Sequence, residues 1–317
     1  MRNNVVNPLG TSIKTKPQTF VWGFFVASDR EPNKVSGIAF AILKLVFLIM
    51  VRLFTFILLM ASASTWANKD TTISVQQNNQ KRVVHLSFPK VKAKGSILLL
   101  HGWNFPATQW CDKTNIGSLA LIKGYVLIMP DLGKSTYHWQ TYPETIEKYR
   151  SFPTRRWITD TLITALQNKF SLLLPGKNNF VAGLSTGGRG AALLALENPK
   201  IFKAAACLSA DFDQRLLLNE PINTGFYGSQ EKFPERWSGR DNIYLRAKEF
   251  NVPLLLIHGK LDKMCPYTQT ENFVKELTRT NPALKVVQHI DENGSHTYSY
   301  WGSHSETILR FFDEHLK

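Results

Sequence analysis

The sequence predicts an α/β protein, built on a mostly parallel central sheet with helices on both of its faces. Three features predict it. Several short runs are apolar at every position, as strands buried on both sides must be. Between them lie stretches whose apolar residues recur at helical spacing. One apolar run also turns at once into a small-residue helical run through the corner GLSTGG, Gly183 to Gly188.

Taken in order, Thr71 to Val75 and Arg82 to Phe88 alternate like two antiparallel edge strands around the polar turn QQNNQ. Ser96 to Leu100 is a short apolar run that ends in HGWN, His101 to Asn104. A helical stretch, Ile116 to Lys123, leads to the buried run Tyr125 to Met129, which closes on Pro130 and Asp131. From Thr154 to Phe170 the residues Trp157, Ile158, Leu162, Ile163, Leu166 and Phe170 fall at helical spacing. Asn179 to Ala182 is the strand that enters GLSTGG, and Arg189 to Asn198 is the helix that leaves it. Strands Ala204 to Ser209, Val252 to His258 and Leu284 to His289, with helices Thr268 to Thr280 and Ser303 to Leu316, complete the alternation. Two stretches stand outside it: Leu132 to Pro153, polar and aromatic, and Phe212 to Arg246, with scattered Gly, Pro and Trp. In a sheet enzyme such excursions sit above the strand C-termini, where ligands bind, so both are expected to form substrate walls.

The first 67 residues read differently. Gly37 to Ala63 is almost continuously apolar, and Met50 to Ala67 has the three parts of a secretory signal: a basic start at Arg52, an apolar stretch Leu53 to Ala61, and a small-residue end. Cleavage is expected after Ala67, with Met1 or Met50 as the initiator and residues 68–317 as a single domain. The competing reading of the same stretch is an uncleaved membrane anchor, because Ile38 to Ala63 is long enough to span a bilayer. The expected location is accordingly exported, periplasmic or secreted.

A hydrophobic content of 44% and eight Trp supply ample core and exclude global disorder. Seven of the 38 Lys and Arg and two of the 24 Asp and Glu lie in residues 1–67, which leaves 31 against 22, a net +9, for the remainder. No Lys/Arg block or aromatic–basic interleaving marks a nucleic-acid groove, so this charge reads as a basic, solvated surface. Of the three cysteines, Cys207 sits in the buried run AAACLS, which leaves Cys111 with Cys265 as the one disulfide available to an exported chain. No cluster has metal-ligand spacing, and no cofactor is expected.

GLSTGG carries the chemistry. A strand that turns directly into a helix strains the backbone of its corner residue, and only small neighbours let the two elements close. That corner is Ser185, whose hydroxyl is lifted above the sheet at a helix N-terminus, where free N–H groups and the helix dipole favour an oxyanion. A serine hydroxyl needs a base, and the base needs an acid to hold its tautomer. HGKLDKMCP places Asp262 just past the strand Val252 to His258, and GSHTYSYW places His296 in the loop after Leu284 to His289. Asp291 and His304 are the substitutes for acid and base. The oxyanion donors are expected to be the backbone N–H of Thr186 and, from the HGWN turn, that of Trp103, with Asn104 as alternate. Trp110, Trp139, Phe212, Tyr298 and Trp301 are the candidates for lining an acyl or aryl pocket.

With HGWN, GLSTGGRGA, HGKLDKMCP and GSHTYSYW in this order, the chain from about Ser96 onward resembles the α/β-hydrolase superfamily. It is most similar to the esterase D-like branch, which includes S-formylglutathione hydrolases, tributyrin-type and feruloyl esterases and mycolyltransferases. The chain order Ser, Asp, His is the one this fold requires. Thr186 departs from the Met, Tyr or His often found after the serine. The resemblance implies a serine carboxylesterase working through an acyl-enzyme on a small-molecule or polymer-linked ester. A peptidase of the prolyl-oligopeptidase type is the alternative, set second because no propeller-sized domain precedes the hydrolase part. Acyl transfer on the same triad, and a non-catalytic envelope-binding protein that keeps the fold, complete the alternatives.

Overall fold

The computed structural model describes residues 44–47, 49–50, 70–77, 80–150 and 152–317. The chain divides into two units, Met1–Ser64 and Thr65–Lys317, and the sheet belongs to the second. The expected leader, residues 1–67, lies outside the described residues except for helical pieces at 44–47 and 49–50. Among the described residues no helix is long and apolar enough to cross a membrane.

The strands are β1 Asp70–Gln77, β2 Gln80–Ser87, β3 Gly95–Leu100, β4 Tyr125–Pro130, β5 Asn179–Leu184, β6 Phe202–Leu208, β7 Leu254–Gly259 and β8 Val286–Asp291. They form one sheet in the order β1-β2-β4-β3-β5-β6-β7-β8. β1, β2 and β4 pair antiparallel, and every pairing from β4 to β8 is parallel. β4, β5 and β7 are buried at every residue, as their largely apolar sequences require, with Asn179 and His258 the buried polar exceptions.

Period-two side-chain direction splits each central strand between two cores. Leu98, Ile128, Val181, Ala205 and Leu256 point to one face; Ile97, Leu99, Leu127, Phe180, Ala206 and Ile257 point to the other. The first face is covered by a continuous helical run, α1 Thr154–Trp157, a π turn Ile158–Leu162 and α2 Ile163–Phe170. It is also covered by α3 Thr186–Glu197 and α4 Thr268–Thr280. The second is covered by the helices Gln109–Lys113 and Ile116–Ile122 and by the C-terminal pair Tyr298–Ser303 and Ser305–Asp313. The sequence predicted a single last helix from Ser303. The turn of helix Tyr298–Ser303 starts earlier because the Thr297 side chain accepts the Tyr300 N–H and caps it.

The two excursions fold on each other above the strand ends. Tyr149 stacks on Phe226 with ring centroids 5.4 Å apart, the Ile146 N–H donates to the Gly225 carbonyl (2.9 Å), and Thr145 Oγ1 donates to the Phe226 carbonyl (2.8 Å). Buried Arg155, at the start of α1, pairs with Asp241 of the second excursion (2.7 Å) and with Glu197 at the end of α3 (3.1 Å), which ties this cap to the sheet layer.

Candidate active site

Ser185 stands where β5 becomes α3, with φ 56° and ψ −127°. A non-glycine residue at such a φ is strained, and the neighbours hold it there. The Ser185 N–H donates to the Leu208 carbonyl (2.8 Å), and the Ser185 carbonyl accepts the Gly188 N–H (2.9 Å). A Cβ at Gly183 would overlap the Gly187 carbonyl, and one at Gly187 would overlap the carbonyls of Leu100 and His101. The glycines of GLSTGG are therefore what lets strand, helix and the HGWN turn approach one another.

Asp262 and His296 come from the ends of β7 and β8. Their loops interlock at Gly259 and Gly294, where a Cβ on either residue would strike the other's backbone, and the Leu261 N–H donates to the Gly294 carbonyl (2.9 Å). Asp262 Oδ1 accepts the N–H groups of Met264 and Cys265 (2.9 Å each), and Oδ2 lies 2.7 Å from His296 Nδ1. Burial by itself would raise the Asp262 carboxyl, but hydrogen bonds from His258, His296 and the Cys265 N–H outweigh it and hold the group well below the usual carboxylate range. The His296 ring meets the Trp301 indole edge-on, with centroids 4.9 Å apart, and Trp301 Nε1 donates to Ser209 Oγ (3.0 Å). His258 lies beneath the acid, its ring nitrogens 2.8 Å from Thr270 Oγ1 and 2.9 Å from the Cys265 carbonyl. The substitute pair is also formed, His304 Nε2 lying 3.1 Å from Asp291 Oδ2, but it borders a separate hollow without Ser185.

Ser185 and His296 line one cavity of about 220 Å³, together with Thr186, Trp103 and Arg189 among others. Thr186 opens α3, so its N–H belongs to the unpaired first turn. In the HGWN turn the Asn104 N–H is taken by the Gly133 carbonyl (3.0 Å), while Trp103 borders the cavity. His101 shapes the turn: its Nδ1 lies 2.7 Å from the Gly102 carbonyl and its Nε2 accepts the Leu132 N–H (3.0 Å). Burial, partly offset by the Gly102 carbonyl and Asp131, lowers its pKa, so it stays neutral. A serine at a strand-to-helix corner and an imidazole held by a carboxylate on one cavity are the arrangement that acyl transfer requires.

A family model described as the prolyl oligopeptidase family matches residues 158–317. The chain belongs to this family of serine hydrolases. Among solved structures, the fluorophosphonate-binding serine hydrolase F of Staphylococcus aureus shares 21% identity at a TM-score of 0.62, covering 79% of this chain and 99% of its own. An S-formylglutathione hydrolase of Agrobacterium tumefaciens shares 16% at a TM-score of 0.65, covering 80% and 98%. The acylaminoacyl peptidase of Pyrococcus horikoshii shares 16% at a TM-score of 0.61, covering 79% of this chain but 42% of its own. No match was found among curated protein sequences. These likenesses establish the α/β-hydrolase fold that the motifs implied, and the fold is shared with the esterase D-like relatives expected from the sequence.

The pocket-lining expectations need correction. Trp110 and Phe212 are buried in the two cores, Phe212 stacked on Phe273 with centroids 4.4 Å apart. Trp139 belongs to the cap, where Arg240 lies over its ring at 3.4 Å. Tyr298 donates its hydroxyl to Gln109 Oε1 (2.9 Å) and touches Phe105, and Trp301 backs the imidazole; neither borders the cavity itself. None of the described residues between 132 and 153 borders it either; that excursion supports the second one. The cavity is lined instead by Phe105, Leu217, Ile222, Met264 and the polar group Arg189, Asp211 and Asn223. Arg189 alone left a trace in the sequence, as the lone cation in a helix otherwise of Gly, Ala and Leu between Thr186 and Glu197. The one disulfide available to the chain is not formed: Cys111 packs on Met129 (sulfur–sulfur 3.5 Å), Cys265 lines the Ser185 cavity, and all three cysteines are free.

Proposed function

We propose that the protein is an exported serine carboxylesterase acting on short-chain or aryl esters through an acyl-enzyme. Ser185 attacks the ester carbonyl, His296 takes the seryl proton and returns it to the departing alcohol, and Asp262 holds His296 with its proton on Nδ1. The N–H groups of Thr186 and Trp103 receive the oxyanion. The observation that carries this reading is the Asp262–His296 contact of 2.7 Å beside a strained Ser185 on one cavity wall. A volume of about 220 Å³, below the roughly 300 Å³ at which drug-sized pockets begin, favours a small acyl group.

The leader-free protein should hydrolyse p-nitrophenyl acetate, and Ser185→Ala should lower kcat by on the order of 10⁵-fold or more. Full turnover by Ser185→Ala would reject the assignment. The family name and the acylaminoacyl peptidase likeness favour a second reading, peptide hydrolysis on the same triad. A p-nitroanilide of an acylated amino acid, assayed beside the ester, separates the two: faster amide turnover makes the protein a peptidase. Export rests on the signal pattern of Met50 to Ala67. It is tested by the mass of the mature chain, which should begin at Asn68; a chain that retains the leader overturns it.

A further inference from the structure

Arg189 stands one helical turn past Ser185 on α3, and its side chain borders the same cavity while remaining 1% exposed. Helical side chains lean toward the N-terminus, so this one leans back toward the serine. Its Nη2 donates to Asp211 and to Asn223 Oδ1 (3.1 Å), both residues of the cavity wall. Among the described residues Nε and Nη1 have no partner, and neither has Oγ1 of Thr186 beside Ser185. Buried polar groups are nearly always satisfied, so three unmet groups on residues around one small cavity call for an acceptor that the described residues do not supply. The ion pair with Asp211 accounts for the charge of Arg189 but engages only one of its three nitrogens.

The sign of the missing acceptor follows from its surroundings. Asp211 already neutralises Arg189, and Glu220, also on the cavity wall, adds a further negative charge. A substrate carboxylate would meet repulsion from both, whereas an uncharged oxygen would take up the free donors without it. The acyl chain is the part of an ester held covalently on Ser185, and so the part that must share the cavity with Arg189.

We infer that Arg189 is a specificity-determining residue that donates to an uncharged oxygen on the acyl chain, so that esters of oxo- or hydroxyacids are preferred over esters of plain alkanoic acids. The inference rests on the esterase reading above. Three p-nitrophenyl esters of similar chain length test it: pentanoate, 4-oxopentanoate and the succinate monoester. The protein should favour the oxo ester over pentanoate in kcat/KM by roughly ten- to a hundredfold, with the succinate ester poorest. Arg189→Met should bring the oxo/pentanoate ratio to near one while pentanoate is still hydrolysed. The ratio within one preparation does not depend on the active fraction, and the double variant Arg189→Met/Asp211→Asn, which leaves no unpaired buried carboxylate, should show the same loss. An oxo/pentanoate ratio near one in the unsubstituted protein, a preference kept by both variants, or succinate as the best substrate would overturn the inference and leave the esterase reading intact. Failure of the folded protein to hydrolyse any of the three defeats the esterase reading itself.

Discussion

Asp262 shows how much a single carboxylate can determine. Its two oxygens have separate duties: Oδ1 accepts two backbone N–H groups and Oδ2 meets His296. In Asp262→Asn the amide oxygen must stay on the backbone donors, because turning it would leave both unpaired, so the NH₂ group faces His296 Nδ1. The imidazole then accepts at Nδ1 and carries its proton on Nε2, the nitrogen that must take the seryl proton. The expected result is a fall in kcat of about 10³- to 10⁴-fold at neutral pH, with KM nearly unchanged and the fold intact. Steady-state kinetics on the best ester checks it. A loss below tenfold would show that another group orients His296.

At the scale of the elements, what could be read from the sequence was what a local pattern dictates. β3 to β7 are mostly apolar, α1 to α2 keeps its helical period, and GLSTGG stands between an apolar run and a helical one, so the sheet layer and the strand ends that carry Ser185, Asp262 and His296 were legible. The pocket wall was not, because it depends on which of two irregular stretches reaches the cavity. Leu132 to Pro153 is the more aromatic, yet Tyr149 is held against Phe226 and Gly225 lies where any Cβ would strike the Tyr149 ring, so it braces the second excursion from behind. Large aromatics such as Trp110 and Phe212 went to the cores because burying them there removes the most apolar surface from water. Whether Cys111 and Cys265 pair was not legible either, because spacing along the chain does not say that one packs on Met129 while the other lines the Ser185 cavity. Arg155 is the residue that joins the layers: it is fully buried, with Glu197 on the sheet side and Asp241 on the cap side, and losing Arg155 would leave the buried Asp241 without its cation.

For the molecule as a whole, the cap has a consequence for stability against acid. His138, in the first excursion, is fully buried, with its ring 4.5 Å from that of Phe226. Burial, reinforced by the nearby charges of Arg155 and Arg189 and partly offset by Asp241, pushes its pKa down to about 4 from an ordinary 6.5. The unfolded chain therefore binds a proton that the folded chain refuses. Stability is undiminished above about pH 6.5, falls as the pH drops toward 4, and loses about 3 kcal/mol through this one side chain when the titration is complete. His101 and His304, whose pKa values are lowered by burial, act in the same direction, whereas Asp262 gives up its contribution only at lower pH. Urea unfolding followed between about pH 7.5 and pH 4.5 should thus show a steep loss of stability, and His138→Gln, which cannot be protonated there, should flatten that slope by about 2 kcal/mol over the interval. A variant whose stability falls with pH as steeply as that of the unsubstituted chain would place the acid sensitivity outside the cap.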